Sequence, residues 1–295
     1  MKLAVGIATT GRREALSQAV AELAGQTRPA DRVVICAVRP EDVDAGRLAA
    51  LGLPLDIRFA MADLPRQRNA ILDQLAGFDA VLFLDDDFLV RPDYLAAVEA
   101  ILAAHADVVL VTGTVLADGA RNAGIPFEAA RAILAASSGT VDGPAEPELE
   151  AVFGAYGCNM AVRLAPVFAA GLRFNENLPL YGWLEDLDFS RRIARHGRVV
   201  RSVLPRGVHM AIKSGRVSGR RYGYSQVANP VDLYREGLIP LTSVLSQAGR
   251  NLASNLVRSL APEAHIDRRG RLRGNFRALA DLARGRLSPR AILDM

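Results

Sequence analysis

Three consecutive aspartates, Asp85-Asp86-Asp87, are the residues of this sequence best suited to chemistry. Adjacent carboxylates repel one another and raise each other's pKa unless a cation lies between them. Carboxylate oxygens bind Mg²⁺ and Mn²⁺, which can share their remaining coordination positions with substrate phosphates. The plain alternative is a solvated turn that caps a helix. Residues 81–84 predict a buried strand just before the triplet, and this position favours a metal site that neutralises a leaving diphosphate.

A second acidic group lies in Trp183-Leu184-Glu185-Asp186-Leu187-Asp188, at the start of a predicted helix. Carboxylates in a first helical turn are favoured by the helix dipole, so capping alone would explain them. The same dipole would keep Asp186 ionised and able to accept a proton from a hydroxyl. The aromatic rings of Tyr181 and Trp183 offer flat faces on which a sugar could stack. The segment therefore predicts a catalytic base, with Asp186 and Glu185 as the candidates.

Two isolated side chains are candidates for the same site. Arg68, within Gln67-Arg68-Asn69, precedes the strand of the triplet and is suited to binding a phosphate or to orienting the carboxylates. A polar helix face is the alternative for this segment. His209 follows a predicted strand. A lone histidine is more often structural, but a metal held only by carboxylates and substrate has open positions, so we predict His209 as a third ligand.

One long segment is basic and free of acid. Residues 189–231 contain no Asp or Glu but ten basic residues: Arg191, Arg192, Arg195, Arg198, Arg201, Arg206, Lys213, Arg216, Arg220 and Arg221. Within it, residues 213–221 are typical of a flexible basic loop. Such a loop could close over a diphosphate, approach an anionic lipid headgroup, or do both.

Strands and helices alternate in the first half of the chain. Apolar runs near residues 3–8, 32–38, 56–60, 81–84 and 108–111 predict strands, and the segments between them have helical spacing. This alternation predicts an α/β fold with a mostly parallel, Rossmann-like sheet and helices on both faces. Ligands of such sheets bind at the carboxyl ends of the strands. The acidic triplet lies at one of these ends.

The second half is less regular. Residues 137–147 predict a mobile loop, and strands are expected at 157–162 and 198–203, with helices at 164–170 and 185–196. Apolar residues at 241, 244, 245, 248, 252, 256 and 260 predict an amphipathic helix. A weaker one covers residues 276–282.

Composition limits the class of protein. The chain has 295 residues, half of them apolar and 23% charged, so it is globular rather than disordered. Its two cysteines define neither a disulfide framework nor a metal-ligand spacing, which favours a reducing compartment. We find no signal peptide and no apolar stretch of about 18 residues that would span a membrane. A cytoplasmic location is expected, or a peripheral one on the inner face of the cell membrane.

Together these residues resemble the family 2 glycosyltransferases of bacterial type, which have the GT-A fold. The resemblance covers roughly the first 210 residues, in the family's order. It rests on four motifs: Val5-Gly6-Ile7-Ala8-Thr9-Thr10 with Arg12; Arg68-Asn69 followed by Phe83-Leu84-Asp85-Asp86-Asp87, similar to the family's DxD; Gly157-Cys158-Asn159-Met160; and Glu185-Asp186 with Asp188, similar to its ED motif.

The resemblance implies an inverting sugar transfer from a nucleotide-diphosphate donor carrying UDP, GDP or dTDP. Asp85, Asp87 and His209 would hold Mn²⁺ or Mg²⁺, and Asp186 would deprotonate the acceptor hydroxyl. The implied donor-binding residues are Thr9, Thr10, Arg12, Arg68 and Asp86. Those implied for the sugar or the acceptor are Asn159, Tyr181 and Trp183. Val38-Arg39-Pro40 departs from the pattern where many relatives hold the base, so the nucleotide is not specified.

We expect a catalytic domain at residues 1–238, with a donor half at about 1–115 and an acceptor half at about 116–238. Residues 239–295 would form an amphipathic helical extension. Packing on the catalytic domain is the default for this extension; pairing in an oligomer or lying on an anionic membrane surface are the alternatives. The expected acceptor is a glycan or a lipid-linked hydroxyl in cell-surface polysaccharide synthesis, and no nucleic-acid partner is expected.

Three other functions share these features. A metal-dependent sugar-phosphate nucleotidyltransferase would have an α/β sheet and acidic residues, but usually begins with a glycine-rich loop of which residues 9–13 are a poor version. A phosphatase would use the triplet as a nucleophile. A non-catalytic glycan-binding protein would keep the fold without turnover.

Overall fold

The computed structural model describes residues 1–137, 149–213 and 218–295. Nearly all of the predicted loop at 137–147, and residues 214–217 of the predicted basic loop, lie outside these ranges. The first half contains β1 (Leu3–Thr9), α1 (Arg13–Ala24), β2 (Arg32–Ala37), α2 (Ala45–Ala49), β3 (Leu55–Phe59), α3 (Leu64–Leu72), β4 (Ala80–Asp85), β5 (Phe88–Val90), α4 (Tyr94–Ala104), β6 (Val108–Asp118) and α5 (Phe127–Ala136). The second half contains β7 (Leu149–Ala151), β8 (Asn159–Arg163), α6 (Leu164–Ala169), α7 (Glu185–Ile193), β9 (Arg198–His209), α8 (Gly219–Arg235), α9 (Leu241–Arg258) and α10 (Arg268–Ala283).

The strands form one sheet in the order β3-β2-β1-β4-β8-β6-β9-β5, with β7 beside β9. Strands β1 to β4 are mutually parallel. Strand β8 is antiparallel to both β4 and β6, so β6 runs in the direction of β4, and β9 is parallel to β6. Only β5, β7 and β8 of the described strands run in the opposite direction. The predicted mostly parallel sheet is therefore confirmed.

Alternate residues of each strand enter separate cores on the two faces of the sheet. In β2, Val33 and Ile35 belong to the buried cluster that includes residues of α1 and α4, whereas Val34 and Cys36 belong to the one that includes residues of α3 and α7. This period of two follows from the pleat of a strand. Each fully buried Val, Leu or Ile contributes about 1.5–3 kcal/mol through the hydrophobic effect. Helices thus cover both faces, as predicted, and hold the strand ends in fixed positions.

Two strands differ from their sequence-based prediction near the acidic triplet. The segment Phe88–Val90 forms the short strand β5 between the triplet and α4, where a helix alone was expected. Strand β9 runs to His209 instead of ending near residue 203. The reason is the pairing of β5 with β9, in which Phe88 lies opposite His209. Three residues are too few to show a strand period, but their pairing brings His209 beside the triplet.

The last three helices pack together. Glycines let α8 and α10 cross with their backbones in contact: a Cβ at Gly223 would meet the carbonyl oxygen of Arg271, and one at Gly274 would meet that of Arg220. Tyr224 of α8 and Ala278 of α10 lie in one buried cluster. No helix in the described ranges is long and apolar enough to cross a membrane. The domain boundary at residue 238 stays a prediction. Helix α8 lies before this boundary but packs on α10, which lies after it.

Candidate active site

The acidic triplet lies at the carboxyl end of β4, beside the end of β1. In the register of these strands Ala8 lies opposite Asp85, so Thr9 meets Asp86. The Thr9 hydroxyl donates a hydrogen bond of 2.6 Å to Asp86, and Arg12 donates to Asp86 at 2.9 Å and to Asp87 at 3.1 Å. Both aspartates are buried. The turn after β1 therefore fixes the carboxylates of Asp86 and Asp87.

Asp85, Asp87 and His209 form a cluster whose ligand atoms all lie within 4.8 Å of one another. His209 Nε2 is 3.5 Å from Asp87 Oδ1 and 3.9 Å from Asp85 Oδ2. Asp87 Oδ1 is buried and accepts no hydrogen bond from any described residue. Buried polar atoms rarely lack a partner, and each needs an explanation. A divalent cation bound by two carboxylates and an imidazole would supply the missing partner, so these residues fit a metal ion.

His209 is oriented from its other side. Its Nδ1 lies 2.9 Å from Asp118 Oδ1, and the Tyr156 hydroxyl donates to Asp118 Oδ2 at 3.1 Å. A carboxylate on one imidazole nitrogen turns the other nitrogen towards a metal and makes it more basic. Burial lowers the pKa of His209, but the hydrogen bond to Asp118 and the attraction of the Asp87 and Asp85 carboxylates outweigh burial and raise that pKa to about 10. This high pKa reflects how much negative charge surrounds the ring.

Arg68 joins the triplet to the second acidic motif. Its buried guanidinium donates to Glu185 at 2.5 Å, to the Gly157 carbonyl at 2.7 Å and to Asp85 at 3.3 Å. Of the two roles predicted for Arg68, these contacts favour orienting the carboxylates over binding a phosphate. Burial raises the pKa of Glu185 to about 8, and its attraction to Arg68 offsets this only in part.

Asp186 is held by the backbone rather than by a cation. Its carboxylate accepts hydrogen bonds from the Gly157 N–H at 2.9 Å and from its neighbour Leu187 at 2.8 Å. A Cβ at Gly157 would approach the Asp186 carboxylate oxygen to 3.1 Å, which explains why a glycine stands there. Burial raises the pKa of Asp186, although the two N–H donors lower it. The group is thus fixed in position and more basic than an ordinary aspartate.

A cleft of about 310 Å³ opens beside the triplet. It brings together most of the residues predicted to bind the donor. Its lining is Ala8, Thr9, Thr10, Arg12, Ala62, Asp63, Leu64, Gln67, Asp85, Asp86, Leu180, Tyr181 and Arg221. Arg68 is the predicted donor residue that does not line it.

The sequence matches no protein-family model and no curated protein. Solved structures resemble it over nearly its whole length. The mannosyltransferase PcManGT from Pyrobaculum calidifontis, in complex with GDP-Man and Mn²⁺, matches 96% of this chain and 79% of its own, with 16% identity and a TM-score of 0.58. Residues 1–349 of S. aureus TarS, in complex with UDP-GlcNAc, match 97% of this chain and 92% of their own, with 15% identity and a TM-score of 0.54.

A longer S. aureus TarS structure matches 90% of this chain at 17% identity, with a TM-score of 0.51, and this chain spans 44% of it. These neighbours are GT-A glycosyltransferases. The chain has the GT-A fold. At these identities the likeness concerns the fold, which agrees with the fold predicted from the motif resemblance.

Within the GT-A fold, an aromatic turn lies at the mouth of the cleft. Tyr181 is exposed, and the rings of Tyr181 and Trp183 lie 5.7 and 6.2 Å from that of Tyr222 on α8. Leu180 and Leu184 on either side have φ of 62° and 71°, a left-handed conformation that costs energy for leucine. Strained backbone of this kind is held only by its surroundings, and here it holds Tyr181 at the cleft and Trp183 against Tyr222.

Asn159 stays a predicted sugar contact. Its side chain is fully buried, and its Nδ2 has no hydrogen-bond partner among the described residues. The side chain is buried because β8 lies between β4 and β6. There the Asn159 amide oxygen accepts from the Thr112 hydroxyl at 2.5 Å and from the Gly113 N–H at 3.1 Å. Its contacts are those of a residue that joins two strands.

Sequence reasoning missed three residues of the GT-A site. Asp118 reaches His209 because these residues lie opposite each other in the pairing of β6 with β9. Tyr156 holds Asp118 from a loop. Arg221 reaches the cleft from α8, and its Nε donates to the Met295 carbonyl at 2.9 Å. Of these three residues, only Arg221 belongs to a segment that the sequence indicates as functional, the acid-free basic segment.

Proposed function

We propose that this protein transfers a sugar, with inversion, from a nucleotide-diphosphate donor to an acceptor hydroxyl. One observation carries the proposal: on a GT-A fold, Arg68 ties the Asp85–Asp87–His209 cluster to the Glu185-Asp186 motif at one edge of the sheet. The proposed diphosphate site and the proposed base would thereby be held in a fixed position relative to each other. Such positioning is a main source of catalysis in group transfer.

Asp85, Asp87 and His209 would hold Mn²⁺ or Mg²⁺. When bound, the ion stabilises the negative charge that develops on the departing diphosphate. The Mn²⁺ and GDP-Man in the structural neighbour PcManGT support this assignment.

The cleft residues Thr9, Thr10, Arg12 and Asp86 are proposed to bind the donor. Arg12 supplies a guanidinium next to the triplet, and its planar fork suits phosphate oxygens. The neighbours hold GDP-Man, UDP and UDP-GlcNAc, so a nucleotide-sugar donor is supported without a preference for one base.

Asp186 is proposed as the catalytic base. It removes the proton from the acceptor hydroxyl while that oxygen bonds to the anomeric carbon and the bond to the diphosphate breaks on the opposite face. A single displacement of this kind inverts the anomeric configuration. The raised pKa of Asp186 makes it a better proton acceptor than an ordinary aspartate.

The acceptor is proposed to be a glycan or a lipid-linked hydroxyl of cell-surface polysaccharide synthesis, in the cytoplasm or at the inner face of the membrane. Tyr181 and Trp183 support a sugar acceptor, because aromatic faces pack well against apolar ring surfaces.

Turnover of a panel of UDP-, GDP- and dTDP-sugars tests this function, with sugar alcohols and oligosaccharides as acceptors. We expect nucleoside diphosphate release from one donor that requires Mn²⁺ or Mg²⁺ and is lost in Asp87→Asn. Asp79→Asn, a change at an exposed carboxylate away from the cleft, is the matched control and should turn over normally. Metal-independent release, or full activity of Asp87→Asn, would contradict the proposal.

A further inference from the structure

One side of helix α9 is mostly apolar and exposed to solvent, with Thr242 and Ser246 as its polar members. Its apolar rows of residues one helical turn apart consist of Leu241, Leu245, Gly249, Ala253, Leu256, Val257 and, just beyond the helix end, Leu260. Leu245, Val257 and Leu260 are 65%, 67% and 85% exposed. The two charged residues of α9, Arg250 and Arg258, lie outside these rows. Contiguous exposed apolar surface on a soluble protein indicates a binding face.

The packed side of α9 is polar instead. Asn255 is fully buried and donates to Gln226 of α8 and to Asn275 of α10, each at 2.8 Å. Gln226 in turn donates to Asn251 at 3.0 Å. Of the apolar residues that predicted this helix, only Val244 is buried.

This amide network fixes which side of α9 faces out. Rolling the helix to bury its leucines would leave several buried amides without partners, and each would cost free energy. Helix α9 does pack on α8 of the catalytic domain, as the default predicts, but it does so through its polar side, and most of its apolar side stays exposed. The leucines are held outward by the polar residues behind them.

The surroundings of this face are strongly positive. Residues 239–295 contain ten arginines against four acidic residues. Arg250 lies beside the apolar rows, and α10 exposes Arg269, Arg273 and Arg277 together with Phe276. Two copies meeting through such a surface would repel each other, whereas an anionic surface would be attracted to it.

We infer that the apolar side of α9 binds an anionic phospholipid bilayer. The leucines and Val257 insert below the headgroups, and the neighbouring arginines contact lipid phosphates. Membrane binding of this kind goes beyond sugar transfer and does not rest on it, because it is measured without a donor.

Co-sedimentation with lipid vesicles tests this inference. The full chain should bind vesicles of equal parts phosphatidylcholine and phosphatidylglycerol, bind phosphatidylcholine alone far more weakly, and dissociate as salt is raised. The triple variant Leu245→Ser, Val257→Ser, Leu260→Ser should lose on the order of 1,000-fold in affinity, since each buried aliphatic side chain is worth roughly tenfold. Phe168→Ser, at an apolar residue of α6 that is 45% exposed, is the control and should bind normally.

The three substituted side chains are exposed, so the variant should melt at the same temperature as the unmodified protein. Failure of the unmodified chain to bind anionic vesicles at low salt would overturn the inference. Equal binding by the triple variant would do the same. A dimer in light scattering that the triple variant converts to a monomer, without vesicle binding, would instead assign the face to a second copy.

Discussion

The cleft beside β4 and the C-terminal helices use charged and apolar residues in opposite ways. At and behind the cleft, most carboxylates and Arg68 are buried and are held by specific partners. In the helices, buried amides hold α9 in place while leucines and arginines face solvent. A buried charge must be paired, so its position is fixed by its partners. An exposed apolar surface has no partner within the chain, so it indicates a binding partner outside the chain. The comparison separates a site built for chemistry from a surface built for contact.

The largest expected effect is at the proposed base. Asp186→Asn should lower kcat by about 10²–10⁴-fold, the usual contribution of general-base catalysis, with donor affinity nearly unchanged. Steady-state kinetics and donor titration measure the two quantities. Asp188→Asn would not serve as a control, because Asp188 is buried and pairs with Arg192. If Asp186→Asn keeps kcat within tenfold of the unmodified protein, Asp186 is not the catalytic base.

Breaking the buried charge network should cost stability. Arg68→Gln leaves Glu185 and Asp85 without their cation, and removing one partner of a buried pair costs about 3–5 kcal/mol. Arg66→Gln, on the same helix but with an exposed side chain, should change the free energy of unfolding by less than about 1 kcal/mol. Urea unfolding of both variants measures the difference. Equal effects would mean that Arg68 is not a structural tie.

Two glycines should respond with opposite signs. A methyl group at Gly223 meets backbone of α10, so Gly223→Ala should destabilise the protein by about 1–3 kcal/mol. At Gly249 of α9 nothing lies within 4 Å, so Gly249→Ala should stabilise it by about 0.5–1 kcal/mol through helix propensity. Thermal unfolding compares them directly. A stabilising Gly223→Ala would show that α8 and α10 do not cross as described.

The smallest effect is a displaced pH profile. A base works only when deprotonated, so kcat should rise with pH through the pKa of Asp186. Burial raises that pKa, so the acid limb should lie above the range of an ordinary aspartate. The profile of kcat at saturating donor and metal measures it. An acid limb at or below the ordinary aspartate range would contradict the burial argument.

The site residues that could be predicted from the sequence are those whose position depends on residues nearby in the chain. The triplet and Asp186 follow local signals: a strand end for one and a helix start for the other. Asp118 and Arg221 could not be assigned, because strand register and helix packing bring them to the site over long separations. The burial of Asn159 could not be predicted either, because a single strand does not reveal whether it is central in a sheet.

Helix α9 shows the same limit in the C-terminal unit. Its apolar period was visible, and the helix was predicted. The side that packs was not, since the amide partners of Asn255 come from two other helices. A pattern of apolar residues identifies a face, but the packing partners decide whether that face turns inward.

Thermal shift with a nucleotide-sugar panel, with and without Mn²⁺, tests the central claim most directly. A ligand that binds only the folded state stabilises it by mass action. The account predicts a metal-dependent rise in melting temperature with one donor, lost in Asp87→Asn but retained in Asp186→Asn. No metal-dependent shift with any nucleotide sugar, or an undiminished shift in Asp87→Asn, would contradict it.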